Sequence, residues 1–144
     1  VYNEKSPIEI GKAVKLRSGK DVSLIAAGLL VFEALEAADA LKEKGIEASV
    51  IDVHTLKPLD QKLLIGEART TGAFVVAEEH LIGGGLGSVV SQLASTNFPV
   101  PIEFVGVHDT YAESGAPEEL FKKYGLTSKH IIEAAQRAVS RKDR

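Results

Sequence analysis

Val22-Ser23-Leu24-Ile25-Ala26-Ala27-Gly28, the stretch from Leu29 to Lys44 with Gly45 after it, and then Ala48-Ser49-Val50-Ile51-Asp52-Val53 decide the fold of this chain. The first and last segments are short, nearly continuous apolar runs. They lack the alternation of a half-exposed strand, so both read as strands covered on two faces. The stretch between them changes period: Val31, Ala34, Leu35, Ala38 and Leu41 fall on one helical stripe, while Glu33, Glu36 and Glu43 lie off it. Lys42 and Lys44 suit the negative end of the helix dipole, and Gly45 supplies a left-handed stop. Strand, helix and strand in one sheet imply a right-handed crossover between parallel strands.

Downstream the unit repeats. Thr55-Leu56-Lys57-Pro58-Leu59-Asp60 is a turn ending on a good N-cap, Asp60, for a helix over Gln61 to Arg69 that stops by Gly72. Ala73 to Ala77 is the next strand, Leu86 to Ser95 a helix turning Val89, Val90 and Leu93 inward, and Ile102 to Val107 a further strand. Two helices close the chain, Pro117 to Lys123 and Ser128 to about Ser140, the second with Ile131, Ile132, Ala135 and Val139 as its apolar stripe. Upstream, Ile8 to Leu16 adds an edge strand whose direction, parallel or antiparallel, the pattern leaves open. The expected architecture is an α/β fold: a three-layer α/β/α sandwich on a mainly parallel five-stranded sheet.

At 144 residues the chain is one domain's worth, with 44% hydrophobic and 26% charged residues. Mean hydropathy of +0.05, net charge −3 and pI ≈ 5.8 describe a globular protein with no electrostatic reason to bind nucleic acid or an anionic membrane. No run approaches the ~20 apolar residues of a membrane span. The basic end from Arg137 to Arg144 reads as a solvated, dipole-compatible helix terminus rather than a binding arm. Without cysteine there are no disulfides or thiolate metal sites, which is compatible with a reducing compartment, and a cytoplasmic location is the expectation. The chain has no Met and begins at Val1, so it reads as a piece of something longer.

In open α/β sheets ligands bind beyond the carboxyl ends of the strands. Asp52 and His54, then Glu78, Glu79 and His80, and finally His108 and Asp109 stand at successive strand ends. Imidazoles and carboxylates gathered along one edge are the materials of a divalent metal or acid/base site. The spacings match no compact ligand motif, however, and strands that are not adjacent keep some of these groups apart. Polar strand ends facing solvent or a partner domain are the preferred reading, with no metal and no catalytic residue assigned.

Gly83-Gly84-Gly85-Leu86-Gly87-Ser88 opens a helix, where free N–H groups attract anions. It has neither the G-x-G-x-x-G spacing in a first βα turn nor a G-K-[ST] ending, and close packing against a neighbour, which glycine permits, is preferred. Ser114, Thr127 and Ser128 read as turn or cap residues. Tyr111, Phe121 and Tyr124 read as anchors of loop and helix to the core. Glu113 has no role assignable from physics alone.

Taken in order from about Ile10 to Val139, the chain resembles the C-terminal domain of the transketolase family. The resemblance rests on Gly11-Lys12-Ala13, Gly19-Lys20-Asp21-Val22, Ala27-Gly28, Glu33-Ala34-Leu35-Glu36-Ala37-Ala38 and Leu56-Lys57-Pro58-Leu59-Asp60. It continues through Glu78-Glu79-His80, Gly84-Gly85-Leu86-Gly87, Glu113-Ser114-Gly115-Ala116-Pro117-Glu118-Glu119-Leu120 and Tyr124-Gly125-Leu126-Thr127. Related domains end the β subunits of 2-oxo-acid dehydrogenases and 1-deoxyxylulose-5-phosphate synthase, and Glu113-Ser114-Gly115 favours transketolase proper. His54 and His108 stand where the family would leave variable residues, which weakens a metal site further.

The resemblance implies a single domain over residues 1–144, with 1–9 as lead-in from a preceding domain and 140–144 as a tail. It implies a parent enzyme moving a two-carbon ketol unit between sugar phosphates, as in the pentose phosphate pathway. Thiamine diphosphate and Mg²⁺ would be bound by domains absent from this chain. The domain itself would bind neither, and would support the other transketolase domains or subunit in a homodimer. The loop Gly83, Gly84, Gly85, Gly87, Ser88 and the loop Asp109, Tyr111, Glu113, Ser114 are the expected contact segments, the first also open to an anion. Rival expectations are a stand-alone anion-binding regulatory module and a docking module of a dehydrogenase complex.

Overall fold

The computed structural model of the chain describes residues 1–3, 6 and 8–142. Its strands are β1 (Val14–Arg17), β2 (Val22–Ala26), β3 (Ala48–Asp52), β4 (Phe74–Leu81) and β5 (Ile102–Val107). Its helices are α1 (Leu30–Glu43), α2 (Gln61–Thr71), α3 (Leu86–Asn97), α4 (Pro117–Tyr124) and α5 (Ser128–Ser140). The strands form one sheet in the order β1-β3-β2-β4-β5. Strands β2 to β5 run parallel, while β1 pairs antiparallel with β3, Val14 opposite Asp52. The α/β sandwich on a mainly parallel sheet is the fold expected, and the open direction of the first strand is antiparallel.

Side-chain alternation divides the core in two. Val22, Leu24, Ala26, Val50, Val75 and Ala77 face α1 and α5, meeting Leu30, Ala34, Leu41, Ile131 and Ala135. Ile25, Ile51, Phe74 and Val76 face α2 and α3 through Leu64, Ala68, Val90 and Leu93. Helices on both faces are why these strands show no apolar–polar alternation. Glu33, placed off the α1 stripe by sequence, accepts the backbone N–H of Ser128 and so closes the first turn of α5. Asp60 caps α2 through Leu63 N–H (3.1 Å), and its second oxygen takes Ala13 N–H (3.1 Å).

Several boundaries differ from the sequence reading, each for a physical reason. The edge strand is Val14–Arg17 rather than Ile8 to Leu16, because Lys12 N–H turns back onto the Glu9 carbonyl. Strand β4 continues past Ala77 to Leu81 because β5 still pairs with it there: Leu81 lies opposite Val107, and Ile82 N–H donates to the Val107 carbonyl. Glu78, Glu79 and His80 therefore lie inside a strand, not beyond its end. The basic terminus is not simply solvated. Arg137 and Arg141 both pair with Glu103, and Lys142 Nζ donates to the carbonyls of Asp21 and Thr71. Parts of the expected lead-in and tail, residues 4, 5, 7, 143 and 144, lie outside the described residues.

Candidate functional site: the carboxyl edge of the sheet

The chain runs from β2 outward to β3 over one face, then returns past β2 to β4 over the other. The carboxyl ends of β2 and β4 thus flank the topological switch point, the place where open α/β sheets hold ligands. Glu78, 6% exposed, sends its carboxyl group to the start of α3, accepting Leu86 N–H (2.7 Å) and Gly87 N–H (2.9 Å). Two of the orphan donors that make a helix start an anion site are thereby taken by the protein's own carboxylate.

The glycines follow from this contact. A Cβ on Gly85 would lie 2.1 Å from Glu78 Oε2, and one on Gly87 would lie 2.8 Å from the Phe104 ring. Gly85 and Gly87 are buried, Gly83 and Gly84 exposed, and Ser88 Oγ accepts Gly84 N–H at 2.8 Å. An added anion at this helix start would have to displace Glu78.

The imidazoles and carboxylates of the edge do not converge. β3 and β4 are separated by β2, so Asp52 and His54 stand two strands, about 10 Å, from Glu78 and His80. Asp52 is buried and accepts the Tyr2 hydroxyl (2.5 Å) through Oδ2. Burial and the adjacent Asp52 carboxylate raise the Tyr2 phenol well above its ordinary value. Asp52 Oδ1 and His54 Nε2 are buried without a hydrogen-bond partner, and His54 Nδ1 lies 3.1 Å from the Thr55 hydroxyl. His80 Nδ1 lies 2.8 Å from its neighbour's carbonyl, Leu81 O, and Glu79, His80, His108 and Asp109 are exposed. Among the described residues no three His, Asp or Glu side chains form a metal-holding group.

The loop after β5 is exposed from His108 to Pro117. Tyr111, expected to anchor that loop to the core, is 98% exposed. Tyr124 does the anchoring instead, its hydroxyl accepting Glu113 N–H (2.9 Å), while it and Phe121 pack on the core from α4. Glu113 pairs with Lys123, and that contact raises the lysine above its ordinary value. Ser114 is exposed.

Sequence reasoning missed Tyr2, whose partner lies 50 residues away, and a buried polar set beneath α2. There Glu67, 2% exposed, takes the Ser23 hydroxyl (2.9 Å) and pairs with Lys15, and Ser23 also contacts Thr71 (2.8 Å). Ser23 is the one polar residue in the apolar β2 run, the only local sign of that set.

This is a helix-covered, mainly parallel α/β domain in which a buried carboxylate, Glu78, takes up the start of α3 at the carboxyl edge of the sheet. The transketolase C-terminal domain family matches residues 11–131, and the chain belongs to that family. It is 43% identical over 143 residues to the 6-deoxy-6-sulfo-D-fructose transketolase subunit SqwH of Clostridium sp. (strain MSTE9), covering 99% of this chain and 44% of that protein. It is also 43% identical over 131 residues to 1-deoxy-D-xylulose-5-phosphate synthase of Desulforudis audaxviator (strain MP104C), covering 90% of this chain and 21% of that protein. A solved split-gene transketolase, described as an inactive beta4 tetramer, superposes with TM-score 0.93 at 44% identity over 97% of this chain and 46% of that one. The chain thus spans less than half the length of these relatives.

Proposed function

We propose that this domain is the non-catalytic, assembly-supporting C-terminal part of a two-subunit transketolase, an enzyme that transfers a two-carbon ketol unit between sugar phosphates. Thiamine diphosphate and Mg²⁺ belong to the other domains, and the working enzyme is a dimer of the complete active unit. The cytoplasm is the proposed location; among the described residues no helix is long and apolar enough to cross a membrane. The observation that carries the reading is Glu78. The helix start that could have bound a phosphate is committed to an internal carboxylate, and the other polar strand ends are dispersed. Two subunit-type relatives support the two-subunit form, and the solved one is named inactive in its beta-only state.

The glycine loop from Gly83 to Ser88 and the loop from Asp109 to Ser114 are the proposed contacts with the neighbouring domains. The test is reconstitution. The whole subunit carrying this domain, alone, transfers no ketol group; mixed with the complementary cofactor-binding subunit, thiamine diphosphate and Mg²⁺, it does so. Ketol transfer by the unmixed subunit contradicts the two-subunit reading.

A further inference from the structure

The loop between β5 and α4 is exposed at every residue from His108 to Ala116. Among the described residues, no backbone–backbone hydrogen bond involves the stretch from Asp109 to Gly115. Its polar fastenings both come from Glu113 and both run to α4: Glu113 N–H donates to the Tyr124 hydroxyl (2.9 Å), and the Glu113 carboxylate pairs with Lys123. Beside them Gly115 lies against Leu120, whose side chain would be 3.2 Å from an added Cβ. One neutral hydrogen bond and one exposed ion pair are small beside the backbone entropy of holding such a stretch in one conformation.

The other end of the hydrogen bond is firm. Phe121 and Tyr124 pack on the core, Leu126 N–H donates to the Phe121 carbonyl (2.8 Å), and Leu126 is buried. Gly125, at φ 70°, ends α4 in the left-handed conformation, so Tyr124 sits on a closed helix end. We infer that Tyr124 is a latch: its hydroxyl sets the conformation of the loop from Asp109 to Ser114, and the loop detaches locally while the sheet and helices stay folded. Tyr124 is a positioning residue that presents this loop preformed to a neighbour, a role that rests on the functional reading above.

Tyr111, 98% exposed, reports the detached state, because chymotrypsin cleaves after it when the loop is free. Cleavage at that bond is followed by mass spectrometry during limited digestion of the whole subunit carrying this domain. Tyr124→Phe keeps the ring and removes the acceptor, so cleavage after Tyr111 is expected to rise about fivefold, the equivalent of one net hydrogen bond. Glu113→Gln removes the exposed ion pair but keeps the N–H, and a smaller rise is expected. Cleavage of Tyr124→Phe at the wild-type rate overturns the latch. So does a rise matched by equal acceleration after Phe74, buried in β4, which marks loosening of the whole domain. Association of Tyr124→Phe with the complementary cofactor-binding subunit, measured by sedimentation, is expected to weaken by up to the same factor, since the partner meets a less populated loop conformation. Faster cleavage with undiminished association leaves the latch standing and contradicts the contact role given to the loop.

Discussion

Glu78 concentrates the physics of the domain in one side chain. Its carboxyl group is buried at the switch point and satisfies two N–H groups that α3 cannot satisfy itself. Replacing it with alanine leaves both donors unpaired, an expected loss of about 2–4 kcal/mol. For a chain of this size that lowers Tm by roughly 7–13 °C, which differential scanning calorimetry reads directly. Gly85→Ala tests the same contact from the other side. Its Cβ would sit inside the Glu78 carboxyl group, so a loss of about 3 kcal/mol is expected from overpacking. A Gly85→Ala protein as stable as wild type would mean that Glu78 is not held as described.

At the scale of elements, the α5–β5 seam is fastened by charge. Burial alone would raise the Glu103 carboxyl, but hydrogen bonds from Arg137 and Arg141 outweigh it and hold the group below its ordinary value. A carboxyl lowered in the folded state contributes stability above its unfolded value, ~4.3, and loses it as pH falls through the folded one. Thermal melts of wild type and Glu103→Gln should therefore differ at pH 7 and converge as pH drops below ~4. A gap that stays constant or widens on acidification contradicts the clamp.

The elements were largely legible because period and punctuation agree along the chain. The β2–α1–β3 unit, the Asp60 cap and the stops at Gly45 and Gly72 (φ 79° and 67°) stand where sequence places them. What was not legible depends on partners distant in sequence. The extension of β4 to Leu81 exists because β5 pairs with it, Tyr2 matters because of Asp52, and Glu33 matters because α5 arrives beside it. The edge cluster of histidines was visible as a list but not as a dispersal, since strand order and not strand sequence separates β3 from β4. Tyr111 was misread because an aromatic in a loop carries no local sign of whether the core or a partner receives it.

Over the whole molecule, the two sheet edges are guarded and one pole is open. Strand β1 is short, irregular and carries Lys15 and Arg17, while Arg141 covers the Ile102 carbonyl on β5. Such edges discourage strand addition. Leu29, Phe32, Leu81 and Tyr111, beyond the carboxyl ends of β2, β4 and β5, are exposed. On the proposed reading the domain supports assembly, its anion-prone helix start being taken by Glu78. The most direct test is calorimetric titration of thiamine diphosphate with Mg²⁺ into this 144-residue chain alone. No binding heat beyond dilution is expected; binding at micromolar concentrations would contradict a domain that leaves the cofactor to its neighbours.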